Sequence, residues 1–311
     1  MPKKSLYRIK NWKTYNAALV SRGSLTIWIS ADARKGWLHQ GAQQQGHPLL
    51  FSAAAIETAL TIRAIYRLPL RQTEGFLLSI FDLLRSPLPV PDYTTLCRRA
   101  QDLAVNLPRW GNDEPLQLVI DSSGLKVYGE GEWLVKMHGK TKYRAWRKIH
   151  LAVNALTREI EAEALAGPAA KDANFVAPML AQIDAPISRA ALDTAYDHHA
   201  VHALLAERGA VALIPPRKVA KINRHGNCAG PPTQRDEIIR AIRRSGRARW
   251  KRDSGYHMRS LAENAMYRQK TIFGANLRNR RFQNQQTEFS IRCRAQNIMT
   301  HLGMPESVKV A

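Results

Sequence analysis

The sequence predicts a mixed α/β protein in which helices flank a sheet, preceded by an all-helical N-terminal region. The first hundred residues carry amphipathic segments separated by turn signals, a pattern typical of short helices. After residue 115 the pattern of apolar residues changes: short apolar runs typical of β-strands come first, and predicted strands and helices then alternate. A polar linker rich in proline and acids, Leu107–Pro115, separates the two regions. We therefore expect a helical region over 1–110 and an α/β domain over 111–311.

Three helices are expected in the N-terminal region. The first covers Ser52–Tyr66 with the serine as N-cap, the second covers Thr73–Leu84, and a third short helix begins after Asp92. The third helix presents Arg98 and Arg99 as possible DNA contacts. Helix, turn, helix and then a basic helix is the order of a DNA-reading helix-turn-helix module. A small helical bundle that only packs is the alternative.

The expected sheet is assembled from several short runs. Its first strand ends at Asp121, and the chain then returns as a hairpin partner. The expected strands are Leu116–Ile120, Leu125–Tyr128, Lys148–Asn154, Ile160–Leu165, Ala190–Leu192 and Val211–Ile214, and the helices are Asp172–Ile183, Val201–Arg208 and Thr233–Arg244. The helix Thr233–Arg244 lies in a basic insertion at about 217–252, which we expect to face DNA. A solvated charged face is its alternative.

Composition restricts the class of protein further. A net charge of +22 over 311 residues indicates a polyanionic partner, most often nucleic acid. The three cysteines are far apart, which predicts a reducing compartment and no zinc module. Glu57 and Arg63 interrupt the longest apolar stretch, which excludes a membrane span there, and we expect a cytoplasmic protein. No glycine-rich phosphate loop is present, so no nucleotide cofactor is expected.

The segment near the C-terminus with the sequence YHMRSLAENAMYRQK is predicted to form one two-faced helix. At 3.6 residues per turn, Tyr256, Arg259, Glu263 and Lys270 fall within an arc of roughly 60°. The opposite arc is apolar and is expected to pack on the sheet; it holds Met258, Leu261, Ala262, Ala265, Met266, Ile272 and Phe273. A carboxylate between cations suits a site that holds a metal ion and a phosphate together. An exposed face with ordinary charge pairs is the alternative.

Two aspartates stand at comparable places upstream. Asp121 and Asp193 each follow an apolar strand, and side chains at strand ends of α/β sheets project into a shared crevice. With Glu263 from the last helix they form three hard oxygen donors that suit Mg²⁺ or Mn²⁺. Two such ions about 4 Å apart activate the attacking oxygen and stabilise the leaving oxygen in phosphoryl transfer. Taken singly, Asp121 could be a turn residue and Asp193 a helix cap.

These residues resemble the bacterial insertion-sequence transposases of the DDE type, in the insertion sequence five-like group that carries a Y-(2)-R-(3)-E-(6)-K motif. Tyr256, Arg259, Glu263 and Lys270 match that motif at every spacing. Asp121 in VIDSSGLKVYG and Asp193 in ALDTAYD resemble the two aspartate blocks, and IRCRAQNIMTHLG resembles the C-terminal block. The resemblance is most specific from about Leu116 to Gly303.

The resemblance implies an RNase H-like domain, a mixed five-stranded sheet with the acidic triad at its centre. It implies that Asp121, Asp193 and Glu263 bind the metal ions and that Tyr256, Arg259 and Lys270 position DNA phosphates. It also implies binding of terminal inverted repeats, cleavage that frees 3′-hydroxyls, and joining of those hydroxyls to target DNA. Because two DNA ends are brought together, a homo-oligomer on DNA is expected.

Other interpretations remain open at this level. Trp133 and Trp146 flank a basic stretch and are possible DNA contacts that stack on unpaired bases, with burial against the sheet as the alternative. An RNase H-like nuclease without transposition is a second enzyme hypothesis, which terminal inverted repeats beside the reading frame would disfavour. A basic DNA-binding regulator with structural carboxylates is the non-enzyme hypothesis.

Overall fold

The computed structural model describes residues 6–41, 48–111, 114–127, 146–225 and 230–310. The chain divides into two compact units. The first comprises the chain up to Pro108 together with the segment from Arg281 onward, and the second comprises Arg109–Arg280. The N-terminal boundary lies close to the linker expected from the sequence. The C-terminal segment, however, lies in the unit of the N-terminal helices, whereas the sequence placed it in the α/β domain.

The first unit is mainly helical. Its helices are α1 (Trp12–Ser21), α2 (Leu25–Trp28), α3 (Ala31–Lys35), α4 (Ala53–Ile65), α5 (Leu70–Leu83), α6 (Tyr93–Arg99) and the C-terminal α12 (Phe282–Leu302). Strands β1 (Leu6–Ile9) and β8 (Ser307–Val310) pair antiparallel, so the unit is not all-helical as expected. Ser52 caps α4 as predicted, and Asp92 caps α6. Helix α12 packs on α4, where Arg294 Nε lies 2.8 Å from Glu57 Oε1.

The second unit contains a mixed sheet. Its strands are β2 (Leu116–Val127), β3 (Trp146–Asn154), β4 (Ile160–Ala166), β5 (Ile187–Leu192), β6 (Val211–Leu213) and β7 (Asn276–Leu277). The order is β4-β3-β2-β5-β6, with β2–β3 and β3–β4 antiparallel and β2–β5 and β5–β6 parallel. The two-residue β7 pairs with the end of β2. The predicted class of mixed sheet flanked by helices is confirmed, with β7 as a sixth strand.

Strand β2 differs from its prediction in a way that matters for the site. The expected hairpin after Asp121 is wrong, because one twelve-residue strand runs through this position. It continues because β3 pairs with it along the way, from Leu118 opposite Asn154 to Lys126 opposite Trp146. Gly124 permits this pairing, since a Cβ there would lie 3.1 Å from the Trp146 ring. Asp121 is therefore held in mid-strand rather than at a strand end.

Helices cover both faces of the sheet. Leu118 and Ile120 of β2 belong to a core with α7 (Val176–Leu180) and α8 (His199–Glu207). Because side chains alternate along a strand, Asp121 points to the opposite face. On that face lie the two helices of the basic segment and the next long helix of the chain, namely α9 (Gln234–Ser245), α10 (Arg247–Asp253) and α11 (Ser260–Phe273).

The predicted two-faced helix is divided in the structure. Residues Tyr256–Arg259 form a 3₁₀ turn after Gly255, whose φ of 73° is left-handed, and α11 begins at Ser260. The apolar arc of α11 packs inward as predicted, with Ala262, Ala265, Met266 and Phe273 buried. Helix α11 contacts β2 and β3. Across the described ranges, no helix combines the length and apolarity needed to cross a bilayer.

Candidate functional site

The two aspartates come directly after paired residues of two adjacent central strands. Strands β2 and β5 run parallel, with Val119 opposite Ala191 and Ile120 opposite Leu192. Asp121 and Asp193 come next on the two strands. Since residues two apart share a face, both carboxylates are on the side of Val119 and Ala191. Asp193 leaves the strand in an extended conformation, and its Oδ1 accepts a 2.7 Å hydrogen bond from the amide of Ala195.

Arg259 joins this sheet position to the helix that comes after it. Its Nη1 donates to Asp121 Oδ2 at 2.9 Å, and its Nη2 donates to Glu263 Oε1. Glu263 lies four residues after Arg259, so the guanidinium reaches it along one helix turn while also reaching the sheet. One arginine therefore links two of the three predicted metal ligands, through a different nitrogen for each.

Burial and like charge act together on Asp121. Its side chain is only 14% exposed, and burial is the main cause that raises the pKa of its carboxyl group above the ordinary value. Hydrogen bonding from the Ser122 amide and the charge of Arg259 oppose this shift, whereas Asp193 and Glu263 add to it. Asp193 and Glu263 therefore both lie within electrostatic range of Asp121, although the three residues come from separate elements.

Lys270 reaches the same strand two residues further along. Its Nζ donates to Ser123 Oγ at 2.6 Å. Ser123 shares the face of Asp121 because the two are separated by one residue. Ser123 was not among the predicted site residues. Alternation along one continuous strand would have placed it on the same face as Asp121, but the predicted hairpin ended the strand at Asp121.

Tyr256 is placed differently from the rest of its motif. The ring is 7% exposed and packs in a small core with Ala191, Ile238 and Trp250. Lys251 Nζ lies 5.1 Å from its ring centroid. Burial raises the pKa of its phenol to about 12. By packing in this core, Tyr256 fixes the 3₁₀ turn that carries Arg259 against the sheet.

The four other residues predicted to contact DNA differ in their exposure and in whether the structure describes them. Arg98 is exposed on α6, whereas Arg99 is only partly exposed and donates at 2.8 Å to the Phe51 carbonyl. Trp146 is 38% exposed at the start of β3, with Lys126 Nζ 5.6 Å from its ring centroid. Trp133 lies outside the described residues.

A further buried carboxylate stabilises the loop after β5. Asp197 accepts hydrogen bonds from Arg235 Nε at 2.6 Å and Arg235 Nη2 at 3.0 Å, and from the Arg217 amide at 2.9 Å. Burial acts to raise its pKa, but the nearby His202 and the hydrogen bonds from Arg235 and Arg217 outweigh it, so the pKa lies below the ordinary value. The pair of Asp197 and Arg235 ties α9 to the loop that begins at Asp193. Sequence reasoning did not identify this pair.

The donor set suits a divalent metal ion in its chemistry, because all three predicted ligands are carboxylates. In the described parts of the chain, no three His, Cys, Asp or Glu side chains are grouped closely enough to hold a metal ion. Between Asp121 and Glu263 the positive charge is instead supplied by the Arg259 guanidinium. The position therefore accepts a cation between its carboxylates.

Comparisons with known proteins bear on the same region. A family described as "Transposase DDE domain" matches residues 113–298, and a second family with that description matches residues 20–130. One similar solved structure is the Drosophila P element transposase strand transfer complex, at 14% identity and a TM-score of 0.29, covering 59% of this chain and 41% of that one. Another is the piggyBac transposase synaptic complex with hairpin DNA, at 9% identity and a TM-score of 0.37, covering 92% and 75%. The chain thus spans less than half of the P element chain it matches.

Proposed function

The chain belongs to the DDE transposase family, and on this premise we propose that it binds the terminal inverted repeats of an insertion sequence and catalyses metal-dependent DNA cleavage and strand transfer. One observation carries the proposal. Asp121 and Asp193 come directly after paired residues of adjacent parallel strands, and Arg259 links Asp121 to Glu263. These contacts support a site built from three carboxylates that are distant in sequence.

In this proposal Asp121, Asp193 and Glu263 hold two Mg²⁺ ions, or two Mn²⁺ ions in their place. When bound, such ions activate the attacking oxygen and stabilise the leaving oxygen of a phosphodiester. The protein's own part is to hold the carboxylates in place. Strand pairing fixes the two aspartates, and the apolar arc of α11 fixes Glu263 against the sheet.

The cations beside the carboxylates are proposed to bind the DNA backbone. Arg259 and Lys270 would hold phosphates next to the cleaved bond, and Tyr256 would position the turn that carries Arg259. In the helical unit, exposed Arg98 on α6 is available for DNA, whereas Arg99 is engaged with the Phe51 carbonyl. The net charge of +22 supports a polyanionic partner. We further propose a homo-oligomer on DNA that joins two ends.

Isosteric substitutions test the carboxylates without disturbing the fold. We expect Asp121→Asn, Asp193→Asn and Glu263→Gln each to reduce Mg²⁺-dependent cleavage of DNA carrying the inverted repeats by about a thousandfold or more, since the metal contributes several kcal/mol to transition-state stabilisation. Asparagine keeps the capping bond of Asp193 to the Ala195 amide, so folding is retained. DNA binding by gel shift should persist.

Matched controls are Asp184→Asn and Glu207→Gln, which remove one exposed carboxylate each from the same unit. Both should cleave like the wild type. Full strand transfer by any of the three site variants would disprove the metal assignment. Cleavage without joining of 3′-hydroxyls to a target plasmid, at all repeat sequences tried, would favour a nuclease over a transposase.

A further inference from the structure

Arg259 bridges two of the three proposed metal ligands. Its two terminal nitrogens contact Asp121 Oδ2 and Glu263 Oε1, and its side chain is 23% exposed. The guanidinium is thus partly buried between two carboxylates that come from different elements.

We propose that Arg259 is a positioning residue that holds the carboxylates together in the DNA-free protein, competes there with the divalent metal ion, and moves to a DNA phosphate when DNA binds. Metal loading is thereby coupled to DNA binding. The inference rests on the proposed function, because it takes Asp121 and Glu263 as metal ligands. It goes further by giving Arg259 two alternative partners.

The competition arises from the chemistry of arginine. A guanidinium does not lose its proton in proteins, so Arg259 cannot relieve the repulsion of an incoming divalent cation by deprotonation. Both of its terminal nitrogens are already used. A bidentate bond to a phosphate therefore requires that at least one carboxylate be released. The released oxygen then becomes available to the metal ion.

Coupling of this kind is reciprocal. If DNA increases the affinity for the metal ion by some factor, the metal ion increases the affinity for DNA by the same factor. Arg259 would therefore restrain premature metal loading and contribute to DNA binding at the same time. A side chain that only bound phosphate would weaken DNA binding on removal and leave metal affinity unchanged.

Metal binding to the DNA-free protein provides the test. Titration of Mn²⁺ followed by electron paramagnetic resonance should show that Arg259→Gln binds Mn²⁺ about tenfold more tightly than the wild type, the equivalent of one charge-assisted hydrogen bond. Arg244→Gln changes an exposed arginine near the end of α9, removes the same charge and should leave Mn²⁺ affinity within about twofold of wild type. Asp121→Asn should abolish Mn²⁺ binding both in the wild type and in the Arg259→Gln variant.

A second variant and a second measurement guard against misfolding. Arg259→Lys keeps the charge but lacks the planar fork that bonds two carboxylates at once, so its Mn²⁺ affinity should fall between those of wild type and Arg259→Gln. Mn²⁺ should also raise the melting temperature of Arg259→Gln more than that of the wild type, because the ion binds the folded state of the variant more tightly.

The outcomes separate this inference from the proposed function. Equal Mn²⁺ affinity in wild type, Arg259→Lys and Arg259→Gln, with loss in Asp121→Asn, overturns the competition and leaves the metal site intact. Weaker Mn²⁺ binding by Arg259→Gln also overturns it. Absence of Mn²⁺ binding from every protein, whether or not Arg259 is present, overturns the metal site and the inference together.

Discussion

At the residue scale, the site is governed by the cost of bringing like charges together. Burial raises the pKa of the Asp121 carboxyl group, and the charges of Asp193 and Glu263 add to that shift. The guanidinium of Arg259 compensates by contacting two of the three carboxylates. Charged groups are rarely buried without a partner, and here the partner comes from the same motif as Glu263. The guanidinium therefore offsets part of the cost of placing Asp121 and Glu263 close together.

Lys270 provides a test of backbone binding at this scale. We expect Lys270→Gln to weaken DNA binding and to lower the slope of log K against log salt by about one unit, since one phosphate contact releases about one counterion. Lys270→Arg retains the charge and should keep the slope. The measurement is fluorescence anisotropy with a labelled repeat duplex over a salt series. An unchanged slope in Lys270→Gln would mean that Lys270 contacts no phosphate and only donates its hydrogen bond to Ser123.

The sequence could identify the charged residues of the site but not their partners. Spacing along one helix placed Arg259, Glu263 and Lys270 on a common face, and their proposed roles remain predictions. The contacts of Arg259 with Asp121 and of Lys270 with Ser123 span 138 and 147 residues, respectively. Such contacts depend on how a helix docks on a sheet, which spacing along the chain does not specify.

At the element scale, one carboxylate of α9, Asp236, holds the start of the helix and the preceding basic loop together. Asp236 forms a capping box with Thr233 at the start of the helix. It also accepts hydrogen bonds from the amides of Asn223 and Arg224, at 2.7 Å and 3.2 Å. Burial acts to raise its pKa, but these bonds outweigh it and the pKa is lowered. The loop before α9 is thereby fixed to the helix.

Asp236→Ala should lower the free energy of unfolding by about 2–3 kcal/mol at pH 7, since several amide and hydroxyl donors lose their acceptor. Because the folded pKa is depressed, the contribution of Asp236 is fully present above the ordinary value of 3.8 and is lost as the pH falls through the folded pKa. Urea denaturation at several pH values measures this difference between wild type and variant.

The exposed Asp253 on α10 supplies the control. Asp253→Ala should change stability by less than about 0.5 kcal/mol, as exposed ion pairs contribute little. A difference between wild type and Asp236→Ala that stays constant from pH 7 down to pH 3 would contradict the depressed pKa. It would assign the effect to packing alone.

At the scale of the whole molecule, the C-terminal segment belongs to the unit of the N-terminal helices. Helix α12 packs on α4, and most of its residues are buried, including Phe289 at 0% exposure. The sequence places this segment with the α/β domain because it comes directly after that domain. Its docking partner lies more than two hundred residues upstream, at Glu57.

Phe289→Ala should lower the free energy of unfolding of the helical unit by about 3–5 kcal/mol, the usual cost of removing a buried aromatic side chain. Hydrogen exchange should then accelerate in α4, while β2 and β5 of the other unit keep their protection. Phe282→Ala, on the exposed start of α12, is the matched control and should have little effect. Faster exchange in β2 with α4 unchanged would contradict the assignment of α12 to the helical unit.

The sequence by itself determined the mixed sheet, most of its strands and the caps of α4 and α6, because these depend on alternation, helical period and spacing within short segments. It also supplied the predicted residues of a DDE-type motif, whose roles stay predictions. Only the tertiary structure decided that β2 runs unbroken through Asp121, that the last helix of the α/β unit begins with a 3₁₀ turn, that α12 joins the N-terminal unit and that Arg259 links Asp121 to Glu263. The physical reason is common to these results. Strand pairing, helix docking and salt bridges between distant residues are stabilised by partners that local sequence does not reveal.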